Sequence, residues 1–556
     1  VNVATYLLDE LARRGVRHLF GVPGDYNLPL LEIVLAHGKL AWVGNVNELN
    51  AAFAADGYAR TTGLAAVALT YGVGELSAIN GVAGSCSENV PVVVIASAPS
   101  REQIRSGAPM HHGLADGDWA HFLRAYTEVT AAQAVLSPEN AIEEIDRVLA
   151  VAETERRPVY IAIPSDVPGL PVVRNTPIAV PPTLLDSGPI QVEFLVAAHD
   201  LVARARRPVI LLGHEAARFG VAELVQHLAA TAGIPVAITP MAKGAVDEQA
   251  VPWLGLYNGA ASDDEVRAAV EDADLLVRIG TRLSHLETAG FTARFDERRV
   301  IDLRPAHSTV GTVRFAPLPL RQALIGLTDL FTSIGGPLDH TAQTCRQETT
   351  GLPPVETSAP LTQAVLWPAL TAALQPGDTV ITSSGTSFWG MLDQPLPSGV
   401  TFVAAPHWGS IGGSLPAALG VGLAAPLRRI VLVIGDGALQ LTVQELATIE
   451  RWQIPLTLVV VANDGYTIER VIDGPAAIYN DIAQWDHLAV VRAMAGAEVS
   501  GTTARTAGEL LEVLEHWQYR DRRLHVLEVR TAPLDVPSRL RTFIETLAAQ
   551  RRSASA

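Results

Sequence analysis

The chain has 556 residues, of which 48% are hydrophobic and 18% charged, a composition that excludes a disordered chain and implies large buried surfaces. At roughly 100–200 residues per domain, that length predicts three domains. The formal net charge of -17 and the pI near 5.3 exclude a nucleic-acid partner, which needs clustered Lys and Arg to neutralise phosphates; the short cluster Arg520, Arg522 and Arg523 does not alter this.

Residues 3–11 carry acids within an amphipathic pattern, which predicts a helix in place of a signal peptide and, with it, a cytoplasmic protein. Short Val/Ile/Leu runs ending in Gly, Pro or a small polar residue then recur at 65–69, 92–96, 159–163, 209–212, 275–279, 430–434 and 456–461, each followed by a helical pattern. This alternation predicts an α/β class of doubly wound domains with mainly parallel sheets. Proline-rich stretches at 167–189 and 335–360 read as linkers and divide the chain into domains at 1–180, 190–340 and 356–556. The uncharged stretches 357–377 and 394–427 are interrupted by Gly and Pro and predict no membrane span. Cys86 and Cys345 are too few for a disulfide framework or a Cys-based zinc site, so both are expected as reduced thiols.

The run 429–437 reads as a buried strand ending in Gly435-Asp436-Gly437, and ligands of open α/β sheets bind at the carboxyl ends of strands. The next strand delivers Asn463-Asp464-Gly465, with Asn463 27 residues after Asp436, the length of one strand-helix-strand unit. Asp436, the Asn463 side-chain oxygen and the Gly465 carbonyl are therefore candidate ligands for Mg²⁺, which prefers oxygen and leaves positions for a diphosphate. The helix start after Gly437 is placed to meet phosphate. Glycine turns also flank many purely structural aspartates; the spacing to Asn463 is what favours an ion.

Gly435-Asp436-Gly437 followed by Asn463-Asp464-Gly465-Tyr466-Thr467-Ile468-Glu469 resembles the cofactor motif of the pyruvate and indolepyruvate decarboxylase family, the thiamine diphosphate-dependent 2-keto acid decarboxylases. The likeness runs nearly end to end. Gly21-Val22-Pro23-Gly24-Asp25-Tyr26-Asn27-Leu28, Asn47-Glu48-Leu49-Asn50-Ala51, Gly72-Val73-Gly74-Glu75-Leu76-Ser77, His111-His112, Gly385-Thr386-Ser387 and Trp408-Gly409-Ser410-Ile411-Gly412 follow in the family's order. The resemblance implies a pyrimidine-binding first domain and a diphosphate- and Mg²⁺-binding last domain flanking a middle one. It also implies non-oxidative decarboxylation of a 2-keto acid to an aldehyde and CO2 through a thiamine-bound enamine. The active site would lie between subunits of a homodimer or homotetramer, with no nucleic acid or membrane as partner.

By the same resemblance, Glu48 matches the residue that hydrogen-bonds the cofactor pyrimidine, and Ile411 the wedge that bends the cofactor into a V. Asp25, His111, His112 and Glu469 match the proton donors. Gly385, Thr386, Ser387, Gly409, Gly435, Asp436, Gly437, Ala438, Asn463, Gly465, Tyr466, Thr467 and Ile468 match cofactor contacts, and Thr386, Phe388, Trp389 and Ile468 the substrate pocket. The chemistry asks for such groups: a carboxyl in an apolar site stays protonated and donates, and product release needs proton donors that work near neutral pH. Local sequence leaves plainer alternatives open: Glu48 as a helix-start acid, Ile411 as core, the histidines as surface hydrogen-bond partners, and Asp25 as a turn former.

Related carboligases generally lack the His pair, so it favours decarboxylation; a carboligase or a catalytically silent cofactor-binding paralogue are the alternatives. Three positions depart from the family pattern: Ser383 where Glu is common, Gly113 where Thr is common, and Ala462 in place of a first Asn. Large aromatic residues beside the cofactor can either shrink the pocket for pyruvate or stack on an aryl keto acid; the expected substrate is a longer or aromatic 2-keto acid, such as phenylpyruvate, indolepyruvate or a branched-chain acid, with pyruvate as a second candidate.

Overall fold

The computed structural model describes residues 1–173, 187–335, 355–517 and 524–555. Pro177, Pro181, Pro182, Pro337, Pro353 and Pro354 of the expected linkers, Cys345, and the Arg520–Arg523 cluster lie outside the described residues.

In the first domain, β1 (His18–Gly21), β2 (Ala41–Gly44), β3 (Ala65–Leu69), β4 (Val92–Ala98), β5 (Ala132–Val135) and β6 (Val159–Pro164) form one parallel sheet in the order β2-β1-β3-β4-β6-β5. Every residue of β3, β4 and β6 is buried, as their uninterrupted apolar runs require when helices cover both faces. The middle domain orders β7 (Pro208–Leu212), β8 (Val236–Ile238), β9 (Trp253–Leu256), β10 (Leu275–Ile279), β11 (Val300–Leu303), β12 (Ser308–Val310) and β13 (Val313–Phe315) as β13-β12-β11-β10-β7-β8-β9. Its β12 runs antiparallel to both neighbours. The last domain holds β14 (Thr379–Thr382), β15 (Thr401–Val403), β16 (Ile430–Gly435), β17 (Leu456–Ala462), β18 (Ser500–Ala504) and β19 (His525–Arg530) in the parallel order β15-β14-β16-β17-β19-β18. That is the strand order of the first domain repeated. The expected class, three α/β domains with mainly parallel sheets, is the one found.

The ends of the first expected linker belong to folded domains. Residues 168–172 return to the N-terminus, where Val3 and Ala4 donate to the carbonyls of Leu170 and Pro168 (both 3.0 Å). Pro189 sits in the first turn of the helix Gly188–Arg204, where a missing N–H costs nothing and a fixed φ helps.

First and last domains meet through the helices Glu48–Thr62 and Ser414–Ala424. Their backbones approach so closely that a Cβ on Gly57 would overlap Ala417, and one on Gly420 the Ala54 carbonyl. Beside them the buried Glu445 carboxylate accepts the amides of Asn45 (2.9 Å) and Asn50 (2.7 Å), which offsets the cost of its burial. Arg60 is buried between Asp56 (2.5 Å) and Glu88 (3.0 Å) and donates to the Ala404 carbonyl (2.9 Å). Arg539, in the C-terminal helix Ser538–Ser555, ties the last domain to the middle one through Asp393 (2.6 Å) and Asp263 (3.1 Å). Among the described residues, no helix is long and apolar enough to cross a membrane.

Candidate active site

The carboxyl end of β16 runs directly into Asp436, the first residue of the helix Asp436–Thr442. Strand β17 lies alongside with Gly435 opposite Val461, so Asn463 arrives next to Asp436, as the 27-residue spacing predicts. Asp436 Oδ2 accepts the N–H groups of Asn463 (3.0 Å) and Asp464 (2.8 Å), and Oδ1 that of Gly437 (2.8 Å). Burial pushes this carboxyl up from its ordinary range while the three N–H groups hold it down. The buried Asn463 side chain hydrogen-bonds nothing among the described residues. The Gly465 carbonyl accepts the Thr467 N–H (3.0 Å), which leaves it one lone pair. A Cβ on Gly437 would stand 2.7 Å from the Tyr466 ring and force that ring to shift. Arg470 braces the turn from below, donating to the carbonyls of Asn463 (3.2 Å) and Asp464 (2.7 Å). Glu469 is exposed, and its side chain has no partner among the described residues.

Gly385 precedes the helix Thr386–Leu392, all of whose residues are buried. Ser387 donates to the Ser383 carbonyl (3.1 Å), and the two hydroxyls stand 3.0 Å apart, so the Ser383 departure is absorbed locally. The Ala462 departure is a buried strand residue, and the Gly113 departure lies beside the Tyr71 ring. Phe388 and Trp389 are 1% and 5% exposed. They pack, with Ile468 at the edge, in a core shared with the middle domain and the C-terminal helix, where Trp389 lies 4.6 Å from Phe543. Ile411, at 39% exposure, is not a core isoleucine. Its loop is clamped from the first domain: the His407 and Trp408 N–H groups donate to Glu88 (3.0 and 3.2 Å), and Asn80 bonds both Trp408 Nε1 (2.8 Å) and Ser410 Oγ (3.0 Å).

The second group lies on the first domain. His111 Nε2 is 2.8 Å from Asp25 Oδ2, and His112 Nδ1 is 4.0 Å from Asp25 Oδ1. One carboxylate thus faces two imidazoles, an arrangement that can hold and pass on a proton. The His111 ring stacks on Tyr26 at 5.1 Å, and the Tyr26 hydroxyl reaches His111 Nδ1 (3.2 Å). His112 is held at φ 65°. Glu48 opens its helix, but the cap is Asn47, whose side chain accepts the Asn50 N–H (2.7 Å). The Glu48 carboxylate, partly exposed, has no partner among the described residues; a Cβ on Gly74 would stand 3.2 Å from its Oε1.

Among the described residues, no hydrogen bond, ion pair or ring contact joins Asp25, Glu48, His111 or His112 to Asp436, Asn463 or Glu469 within one chain. A cleft between the first and last domains is lined by Asp56, Arg60, Ser383, Ser384, Trp408 and Ser410 among others, and by none of these seven. Sequence reasoning assigned no role to Tyr26, Glu75, Asn80 or Glu88. Tyr26 and Glu75 stand within quoted motifs, but their partners are distant in the chain.

The chain matches three family models in order: the thiamine pyrophosphate enzyme N-terminal TPP-binding domain over residues 1–118, the central domain over 195–325, and the C-terminal TPP-binding domain over 384–529. It is 43% identical over 539 residues to an alpha-keto-acid decarboxylase of Mycolicibacterium paratuberculosis, covering 96% of this chain and 95% of that one. Alpha-keto-acid decarboxylases of Mycobacterium tuberculosis (42% over 554 residues; 99% and 98% covered) and Mycobacterium leprae (42% over 546 residues; 97% and 94% covered) are similar over the same extent. With all three modules matched and this identity sustained along nearly the whole chain, the protein belongs to the thiamine pyrophosphate-dependent 2-keto acid decarboxylases and is a carboxy-lyase.

Proposed function

We propose that the protein converts a longer or aromatic 2-keto acid to CO2 and the aldehyde one carbon shorter, with Mg²⁺ and thiamine diphosphate held between two copies of the chain. The observation that carries this reading is the set of polar side chains left without partners among the described residues: Glu48, Glu469 and the buried Asn463 amide, together with Asp436 and the Asp25–His111–His112 cluster. Asp436, Asn463 and the free lone pair of Gly465 fit a hard cation that keeps positions for a diphosphate. The neighbouring Gly385, Thr386, Ser387, Gly435, Gly437, Ala438, Tyr466, Thr467 and Ile468 would contact the cofactor, Ile411 and Gly409 its middle, and Glu48 its pyrimidine. When bound, thiamine diphosphate supplies a carbanion that adds to the keto carbonyl and takes up the electrons of the broken C–C bond. The chain's part is to orient and to move protons: Asp25 fixes His111, and the two histidines with Glu469 deliver a proton to the carbon that has lost CO2.

The preference for a longer or aromatic acid rests on the aromatic side chains Phe388 and Trp389, which pack edge to face at 5.8 Å with Ile468 at the edge of the same core. A homodimer or homotetramer is supported by exposed apolar side chains on both halves of the site: Val46, Val73 and Leu76 near Glu48, and Ile411, Leu441 and Ile472 in the segments around Asp436. Domain limits at 1–180, 190–340 and 356–556 and a cytoplasmic location belong to the same reading. The test is aldehyde release by purified protein with thiamine diphosphate and Mg²⁺, with and without EDTA, against pyruvate, branched-chain keto acids, phenylpyruvate and indolepyruvate. EDTA-sensitive aldehyde from the larger acids is expected. Acyloin as the main product would favour a carboligase, and no product from folded, cofactor-loaded protein a silent paralogue.

A further inference from the structure

Glu75 is a carboxylate, 1% exposed, that the proton movements above do not use. It stands in the first turn of the helix Val73–Ser87. Its Oε2 accepts the Gly72 N–H (2.7 Å), its Oε1 accepts the Tyr160 hydroxyl (2.5 Å), and its own carbonyl accepts the Tyr126 hydroxyl (2.8 Å). No cation pairs with it among the described residues. Burial pushes its carboxyl up to about 7, against the Tyr160 hydroxyl and the Gly72 N–H. An apolar side chain would fill such a place at lower cost.

What the carboxylate holds is the turn at 70–74. Gly72 lies at φ 66° and ψ -81°, a sparsely populated γ-turn conformation that persists only when its surroundings fix it. The turn touches His112 and Glu48 directly, and it packs on Gly24 and Tyr26, which flank Asp25. Gly72 abuts the His112 carbonyl so closely that a Cβ there would overlap it, and Gly74 faces Glu48 Oε1. Thr70 packs on Gly24, next to Asp25, and Tyr71 packs edge-on against Tyr26 at 5.5 Å.

We propose that Glu75 is a positioning residue of the active site: by holding the Gly72 N–H it sets the spacing between Glu48 and the Asp25–His111–His112 cluster. This rests on the reading of those residues as the proton-handling half of the site. It is tested by the rate at which diethyl pyrocarbonate modifies His111 and His112 in cofactor-free protein, read by peptide mass spectrometry, alongside kcat and KM for aldehyde release. Glu75→Gln keeps an oxygen for the Gly72 N–H, and both readouts should stay within about threefold of the parent. Glu75→Leu should change the histidine modification rates at least threefold and lower kcat tenfold or more, with KM within threefold. Glu75→Asp keeps a buried carboxylate but falls one methylene short of Gly72; it should behave like Glu75→Leu and carries the test if that variant does not fold. Unchanged histidine rates in folded Glu75→Leu or Glu75→Asp, or a Glu75→Gln as impaired as either, would overturn the proposal. The modification rates need neither cofactor nor substrate, so an absence of aldehyde in the parent protein would count against the reaction and leave this comparison standing.

Discussion

Glu287 gives a stability effect whose sign and size follow from its surroundings. Its carboxyl is fully buried; Oε1 accepts the Thr239 hydroxyl (2.6 Å), and Oε2 has no hydrogen-bond partner among the described residues. Burial pushes its pKa up to about 7, against the Thr239 hydroxyl, Arg282 and His407. The folded state therefore binds this proton more tightly than the unfolded chain, whose carboxyl titrates near 4.5. The contribution to stability is fully present below about 4.5 and is lost as pH rises to about 7, a swing of roughly 3 kcal/mol. Glu287→Gln is neutral at every pH and keeps an oxygen for Thr239. Its stability relative to the parent should rise by about 2–3 kcal/mol between pH 5 and pH 8, whatever constant cost its amide nitrogen adds. The neighbouring His214, 3.9 Å away and pushed down to about 3 by burial, acts in the opposite direction in both proteins and cancels in the difference. The assay is the thermal midpoint of cofactor-free parent and variant at pH 5 and pH 8 at one scan rate. A difference that is constant with pH, or that shrinks toward pH 8, would refute the reasoning.

Asp436→Ala removes the acceptor of three backbone N–H groups along with a proposed ligand, so Mg²⁺-dependent binding of thiamine diphosphate should weaken by about 100-fold or more in a tryptophan-fluorescence titration. His112→Phe should slow aldehyde formation by about 100-fold in steady-state assays; an unchanged rate removes His112 from the proton path. Arg60→Leu strands the buried carboxylates of Asp56 and Glu88, which should cost about 3–5 kcal/mol and appear as a lower thermal midpoint.

The legible parts of this fold were those whose physics is local. The predicted strands at 65–69 and 275–279 coincide with β3 and β10, and the other five differ by one or two residues, because an apolar run buried on both faces reads directly as sequence. The four-residue β2, with a single buried position, and the three-residue β12 and β13 carry no such run. The antiparallel edge of the middle sheet was invisible for that reason. Asp436 and Asn463 were singled out because their spacing equals one strand-helix-strand unit, and the fold does bring them side by side. Glu48 and the histidines were singled out by resemblance alone, since a helix-start acid and a pair of imidazoles have common structural uses. Phe388 and Trp389 were read as pocket residues, and their burial against Phe543 depends on a helix some 150 residues away in the chain. Glu75 and Tyr160, 85 residues apart, had no signal that a single sequence could supply.

Among the described residues no direct link joins the Glu48 group to the Asp436 group within one chain, and this has a genetic counterpart. If each chain lends one half to each of two sites, Glu48→Gln and Asp436→Ala chains are each inactive alone but complementary when mixed. A heterodimer of the two concentrates both lesions in one site and leaves the other intact. Random reassociation of equal amounts should then restore about a quarter of the parental activity, a recovery between two dead proteins that a site built within one chain cannot give.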